Sequence, residues 1–280
     1  MDKLNRNQKG GAFIAMVLIL SSLVAAVALC AFALRPEAGD DERYEITRQR
    51  MLEVKRALIG RLADVGGGAD ITSCGGFISD YGEPDDMTGN FIDRLINRPA
   101  GWQAWQYDLP PNNYQFWAGY RGDSYLEANA ENSSGTPIFI DGWGYPIEVE
   151  FPGASPNRIN IISRGKDGGI GAVNPESYDE DVTDTFYWRR PVEVTNNIGA
   201  NADFRIIYPI QGNIVNPPVN SGIIPSLPAP LSTHTFSDIS IGLRKIEVQD
   251  LTPGGEMCVK MLCVPPGMGN YSIRINSNCD

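Results

Sequence analysis

The chain begins with a long run of uncharged positions. Residues 11–34 (GAFIAMVLILSSLVAAVALCAFAL) carry no charged side chain. Twenty-four residues make a helix of about 36 Å, enough to cross a bilayer. Lys3, Arg6 and Lys9 precede the run, and Asp40, Asp41 and Glu42 follow it with only Arg35 between. This charge bias predicts a transmembrane helix over 12–35, with the first ten residues in the cytoplasm and the rest exported. The pattern then changes without a break. Ile46, Met51, Val54, Leu58 and Leu62 recur at mostly helical spacings, with Arg48, Arg50, Glu53, Lys55 and Arg56 on other faces. An amphipathic helix that continues the first is expected, ended by Gly66-Gly67-Gly68. A cleaved secretory signal has a shorter apolar core and no such continuation.

Past residue 65 the period falls to two. Alternation marks strands at 147–151 and 158–163, then at 204–208, 242–248 and 271–275. The last three stretches are interrupted by Pro and Gly and show no helical period, which predicts a small all-β sandwich. The proline-rich segment 216–230 reads as an extended loop. The expected class is therefore α+β: a long N-terminal membrane and amphipathic helix, a small antiparallel-sheet head, and a C-terminal all-β extension. The expected organisation is a leader over 1–11, the span over 12–35, a head over 36–188 and an extension over 189–280, with Arg189-Arg190-Pro191 at the junction.

Composition narrows the partners. A net charge of -11 repels phosphate backbones, so no nucleic-acid partner is expected, whereas divalent cations are compatible. Of five cysteines, Cys30 lies in the apolar run; Cys74, Cys258, Cys263 and Cys279 lie beyond it. An even set in an exported region predicts at least one disulfide, with three pairings open. Cys258-x4-Cys263 does not have zinc-site spacing.

The leader reads Asn7-Gln8-Lys9-Gly10-Gly11-Ala12-Phe13-Ile14. A short basic leader, Lys-Gly and then an uninterrupted apolar helix resemble a prepilin-type signal. The most specific stretch is Asp141-Gly142-Trp143-Gly144-Tyr145-Pro146, a strand, a second strand, and then Ser163-Arg164-Gly165-Lys166-Asp167-Gly168-Gly169. In order and approximate spacing this is similar to the head of the type II secretion major pseudopilin, in the type IV pilin family. The similarity covers roughly residues 8–188 and is weakest over 64–140.

The resemblance implies a pilin-like structural subunit of a type IV pilus or type II secretion filament. It implies cleavage by a prepilin peptidase around Lys9, Gly10 and Gly11, after Gly10 or Gly11. It further implies other pilin-like subunits and the inner-membrane assembly machinery as partners, and an inner-membrane location with an extracytoplasmic head. Ala15 or Met16 stands where most pilins carry Glu, which favours a minor or tip subunit. The family's calcium loop implies calcium held by Asp167, Asp179 and Asp181, although 172–176 lengthen that loop here. The alternative is a signal-anchored extracytoplasmic binding or adhesion module that does not polymerise.

Two further clusters bear on function. Trp102, Trp105, Tyr107, Tyr114, Phe116, Trp117, Tyr120 and Tyr125 crowd one region, as the core and cover of a loop-rich domain or as a stacking platform. His234 is the single histidine. It lies in Ser-Thr-His-Thr with no nucleophile motif around it, so no enzyme is expected.

Overall fold

A computed structural model describes residues 37–60, 74–82, 91–97, 124–152, 157–169, 181–198, 200–208, 224–228, 231–251, 255 and 257–276. Three helices and twelve strands lie among them. The helices are α1 (Glu37–Ile59), α2 (Phe77–Tyr81) and α3 (Phe91–Ile96). Strand outweighs helix about two to one, and α2 and α3 are 5 and 6 residues long. The expected α+β class is thus corrected to a mostly β protein. The alternating stretches after residue 130 all become paired strands, while the helical period is confined to one segment.

Eleven of the 23 residues of α1 are charged. Among the described residues no helix is long and apolar enough to cross a membrane. The transmembrane helix and the inner-membrane location expected from the sequence are therefore not supported and are withdrawn. The run over 12–35 lies outside the described residues, as do Cys30 and the leader.

The chain divides into two units, Met1–Glu45 and Ile46–Asp280. Within the second, α1 buries Thr47, Met51, Val54 and Leu58, spaced so that one stripe faces the core. The helix ends at Ile59, before the expected glycine run, which lies outside the described residues. Gly60 turns the chain with φ 64, and a Cβ there would sit 2.8 Å from the backbone of Gly75. Gly76, at φ 84, would place a Cβ 2.6 Å from the Gly60 nitrogen. Glycine is required on both sides because the two backbones touch.

Four sheets follow. β1 (Ala130–Glu131) and β2 (Pro137–Ile138) form a short antiparallel pair. Its turn is closed by the Asn132 carboxamide oxygen, which accepts from the amides of Ser134 and Thr136, both at 2.9 Å. β3 (Glu148–Glu150), β4 (Arg158–Ser163) and β5 (Val182–Tyr187) make a three-stranded antiparallel sheet with β4 in the centre. β6 (Arg189–Asn197) lies between β9 (Ser232–Ser240), antiparallel, and β12 (Tyr271–Asn276), parallel. The fourth sheet has the order β11 (Met257–Val264), β10 (Gly242–Asp250), β7 (Ala202–Ile207), β8 (Ile224–Leu227). β8 falls inside the proline-rich segment expected to be loop. It pairs with β7 alone, and at a sheet edge a proline costs no ladder bond.

The boundary expected at residue 188 does not separate two cores. Trp188 is fully buried between β5 and β6, where one extended chain passes from the β3–β4–β5 sheet to the β12–β6–β9 sheet. Its amide donates to the Asn157 carbonyl at 2.9 Å, and its carbonyl accepts from the Ile241 amide at 2.8 Å. Val192, Val194, Phe204, Ile206, Phe236, Ile246 and Val248 are buried in the same hydrophobic cluster as Met51, Leu58, Phe77 and Ile159. Cys74 is bonded to Cys263, with a Cα–Cα distance of 5.7 Å. That bond joins the loop before α2 to β11.

Candidate functional site

The stretch Asp141–Pro146 forms a tight turn organised by one carboxylate. Asp141 is buried, and its Oδ1 accepts from the amides of Trp143 and Tyr145, each at 2.9 Å. Its Oδ2 accepts from the Ser163 hydroxyl at 2.6 Å, and Ser163 Oγ accepts from the Gly165 amide at 3.3 Å. A single buried carboxylate thus joins the two motif segments, 141–146 and 163–169, across the end of the β3–β4–β5 sheet. Such an anion is tolerated inside because donors surround it. Gly168 lies under the Tyr145 ring, where a Cβ would come within 2.4 Å of Cε1.

The same turn holds α1. The Arg50 guanidinium donates to the carbonyls of Ile140, at 3.0 Å, and Asp141, at 2.5 Å. The Gly142 amide donates to Thr47 Oγ1 at 2.9 Å. One turn further along, Lys55 pairs with Asp184 of β5 at 2.9 Å. Residues 47, 50 and 55 therefore latch one side of the helix. Gln49, Glu53 and Arg56 stay exposed.

The residues expected to bind calcium are placed as follows. Asp167 Oδ1 accepts from the Gly169 amide at 2.8 Å, closing its own turn. Asp181, just before β5, faces Arg164, with Oδ2 3.1 Å from Nη1. Asp179 lies outside the described residues. Among the described residues no group of three His, Cys, Asp or Glu side chains is placed to hold a metal ion.

Of the cysteines, Cys74 and Cys263 pair with each other. Cys258 is also disulfide-bonded, and Cys279 lies outside the described residues. Lys9, Gly10, Gly11 and the aromatics from Trp102 to Tyr120 lie outside them as well. His234 is exposed on β9, its ring edge-on to Phe236 at 5.2 Å.

A second polar centre has no counterpart among the sequence expectations. Arg244 of β10 is fully buried. Its Nε donates to the Ser240 carbonyl at 2.8 Å. Nη1 serves the carbonyls of Ser79, at 3.2 Å, and Leu243, at 2.6 Å. Nη2 serves the Ile78 carbonyl at 3.1 Å, Ser240 Oγ at 2.9 Å and the Ile241 carbonyl. A planar fork of five donors suits this converging set of carbonyls. Ser79 Oγ accepts from the Leu243 amide at 2.9 Å, so α2 is fixed to β10 from both directions.

Asp80, also buried, accepts from the Tyr125 hydroxyl at 2.5 Å. Burial pushes its carboxyl up to about 7, against the Tyr125 hydrogen bond and the Arg244 charge, which both pull it down. Burial, and then the neighbouring Asp80 charge, raise the Tyr125 phenol.

The folded state holds the Asp80 proton more tightly than the unfolded state, whose value is 3.8. The contribution is fully present below about pH 4 and is lost as pH rises through about 7. Between about pH 5 and pH 8 the wild-type chain is expected to lose about 2–3 kcal/mol through this group. Asp80→Asn keeps an acceptor for Tyr125 and removes the titration. Its urea midpoint is expected to stay flatter over that range and to exceed the wild-type midpoint at the alkaline end.

No protein-family model matches the chain, and no curated protein matches it in sequence.

Proposed function

We propose that the chain is a structural subunit, not an enzyme. In this reading it assembles with pilin-like subunits of a type IV pilus or type II secretion filament as a low-copy member, and its two C-terminal sheets offer an interaction surface. The observation that carries the reading is the Asp141–Ser163 bond. The two motifs on which the resemblance stands are wired to each other through one buried carboxylate, and the first of them grips α1 through Thr47 and Arg50. The motif residues therefore have a common task, docking a helix on a small sheet. The disulfide supports an oxidising, extracytoplasmic setting. The one histidine of the chain is exposed on a sheet-edge strand, which offers nothing for a buried nucleophile–base pair.

The intact mass of the mature protein from its own cells tests the processing step, for which a prepilin peptidase is the required partner. A start at Gly11 or Ala12 is expected. Photo-cross-linkers at the exposed positions Gln49 and Glu53 should then capture other pilin-like subunits. A chain that keeps Met1 and gives no such adducts would overturn the reading in favour of a binding module that does not polymerise.

A further inference from the structure

The two C-terminal sheets end in four edge strands, β8 and β11 in one and β9 and β12 in the other. An edge strand offers a row of backbone donors and acceptors to any extended chain. Proteins close such edges with proline, with irregular register or with a charge turned toward the core. Three of the four edges carry such a device. β8 has Pro225. β9 faces a register shift between Arg190 and Val192, has Asp238 in the left-handed region at φ 57, and places His234 opposite buried Val194. β11 has Lys260 opposite buried Ile246, so a cation stands on the core-facing side of the sheet.

β12 carries none of these. It runs beside β6 in unbroken parallel register, from Tyr271 opposite Val192 to Asn276 opposite Asn197. Its core-facing positions are Tyr271, Ile273 and Ile275, all apolar, the first two half-buried. Ser272, Arg274 and Asn276, on the other side, are exposed. Arg274 forms no ion pair among the described residues. The start of the strand is pinned. The Arg190 guanidinium donates to the carbonyls of Gly269, at 2.9 Å, and Pro265, at 3.2 Å, and lies 5.6 Å from the centre of the Tyr271 ring. An edge ordered in advance loses little freedom when a strand is added to it.

We propose that the outer edge of β12 receives an extended segment of another protein, which joins this three-stranded sheet as a further strand. Main-chain hydrogen bonds hold the segment, and its alternate side chains select it. Its apolar positions lie beside Tyr271 and Ile273, and an Asp or Glu on its other side pairs with Arg274. A second copy of β12 would bring Arg274 and no carboxylate, which rules against self-pairing. The choice of this edge rests on the proposed interaction role of the C-terminal sheets and is independent of assembly through α1.

A photo-cross-linker at Ser272 of the full chain, in its own cells, tests this, with Thr235 of β9 as the control edge. An adduct is expected from Ser272 and none from Thr235. Peptide mass spectrometry should map it to a segment in which apolar residues alternate with Asp or Glu. Ile273→Lys gives β12 the inward charge that β11 has at Lys260 and should reduce the adduct at least about tenfold. Arg274→Glu, at an exposed position, should weaken the adduct severalfold while the thermal midpoint stays within about 3 °C of the wild type. It keeps the test open should Ile273→Lys fail to fold. No adduct from Ser272, equal adducts from Thr235, or an adduct that Arg274→Glu leaves unchanged would overturn the proposal. So would an adduct mapped to lipid or to a second copy of the chain. Loss of the adducts from Gln49 and Glu53 with the Ser272 adduct intact would count against assembly through α1 and leave this edge standing.

Discussion

Replacing Cys74 and Cys263 together by alanine is expected to lower the unfolding free energy by about 3–5 kcal/mol and the thermal midpoint by about 8–15 °C. The bond joins residues 189 positions apart, and closing so long a loop removes much of the freedom of the unfolded chain. It also joins the loop leading into α2 to β11, on opposite sides of residue 188. Without it, the α2 region is held to the C-terminal sheets by Arg244, Ser79 and apolar packing. Both sulfurs belong to buried residues, with Cys74 at 3% and Cys263 at 4% exposure, so alanine leaves small voids that add to the loss. Calorimetry of the double variant beside the wild type, in the absence of reductant, measures the difference. Equal midpoints would mean that the packing around α2 holds these segments without the bond.

Much of the strand content could be read from the chain, because alternation survives burial on one face. Ile159 and Ile161 point inward on β4, as do Phe204 and Ile206 on β7. What alternation does not carry is pairing. Nothing in 189–197 indicates that β6 takes β12 as a parallel neighbour and β9 as an antiparallel one, since those contacts join residues far apart in sequence. The head is expected to end at Trp188 because the family resemblance stops there; in the structure Trp188 is buried at the step from β5 to β6. The four-cysteine set left three pairings open, and only the approach of β11 to the α2 loop selects 74 with 263.

The candidate site was half legible. The turn at 141–146 and the loop at 163–169 stood out through their glycines, but the bond between Asp141 and Ser163 follows from the sheet register, which sequence does not print. Arg164, which pairs with Glu148 at 2.6 Å and Asp181 at 3.1 Å, enters the sequence reading only as a position within the second motif. The alternating carboxylates Glu148 and Glu150 were the available signal that a cation had to face β3. Arg244 was legible in principle. In Gly242-Leu243-Arg244-Lys245-Ile246-Glu247-Val248 it has the same parity as Ile246 and Val248, which face the core. A reading that assigns every charge to the surface misses it.

Arg244→Met is the variant expected to damage the fold most directly, by about 3–5 kcal/mol. Methionine fills much of the stem volume but supplies no donor. The carbonyls of Ile78 and Ser79 belong to α2; Ile78 keeps the Gly82 amide, but both lose the guanidinium that serves them from β10. The carbonyls of Ser240, Ile241 and Leu243 lose the same group. A second effect separates this account from simple loss of packing. The Arg244 charge helps to hold down a carboxyl that burial pushes up to about 7 at Asp80. Without that charge the folded-state value should rise further, so the loss of stability with pH should extend to more alkaline conditions than in the wild type. A folded state that keeps its proton to higher pH continues to lose stability as pH rises until the new value is passed. Urea unfolding of Arg244→Met, Asp80→Asn and the double variant at about pH 5 and about pH 8 completes the cycle. Coupling between the two positions is expected at the alkaline end, where Asp80 is charged in the wild type. It should shrink at the acid end, where Asp80 is neutral. Equal coupling at both ends would show that Arg244 acts through its carbonyl contacts alone and that its charge has no bearing on Asp80.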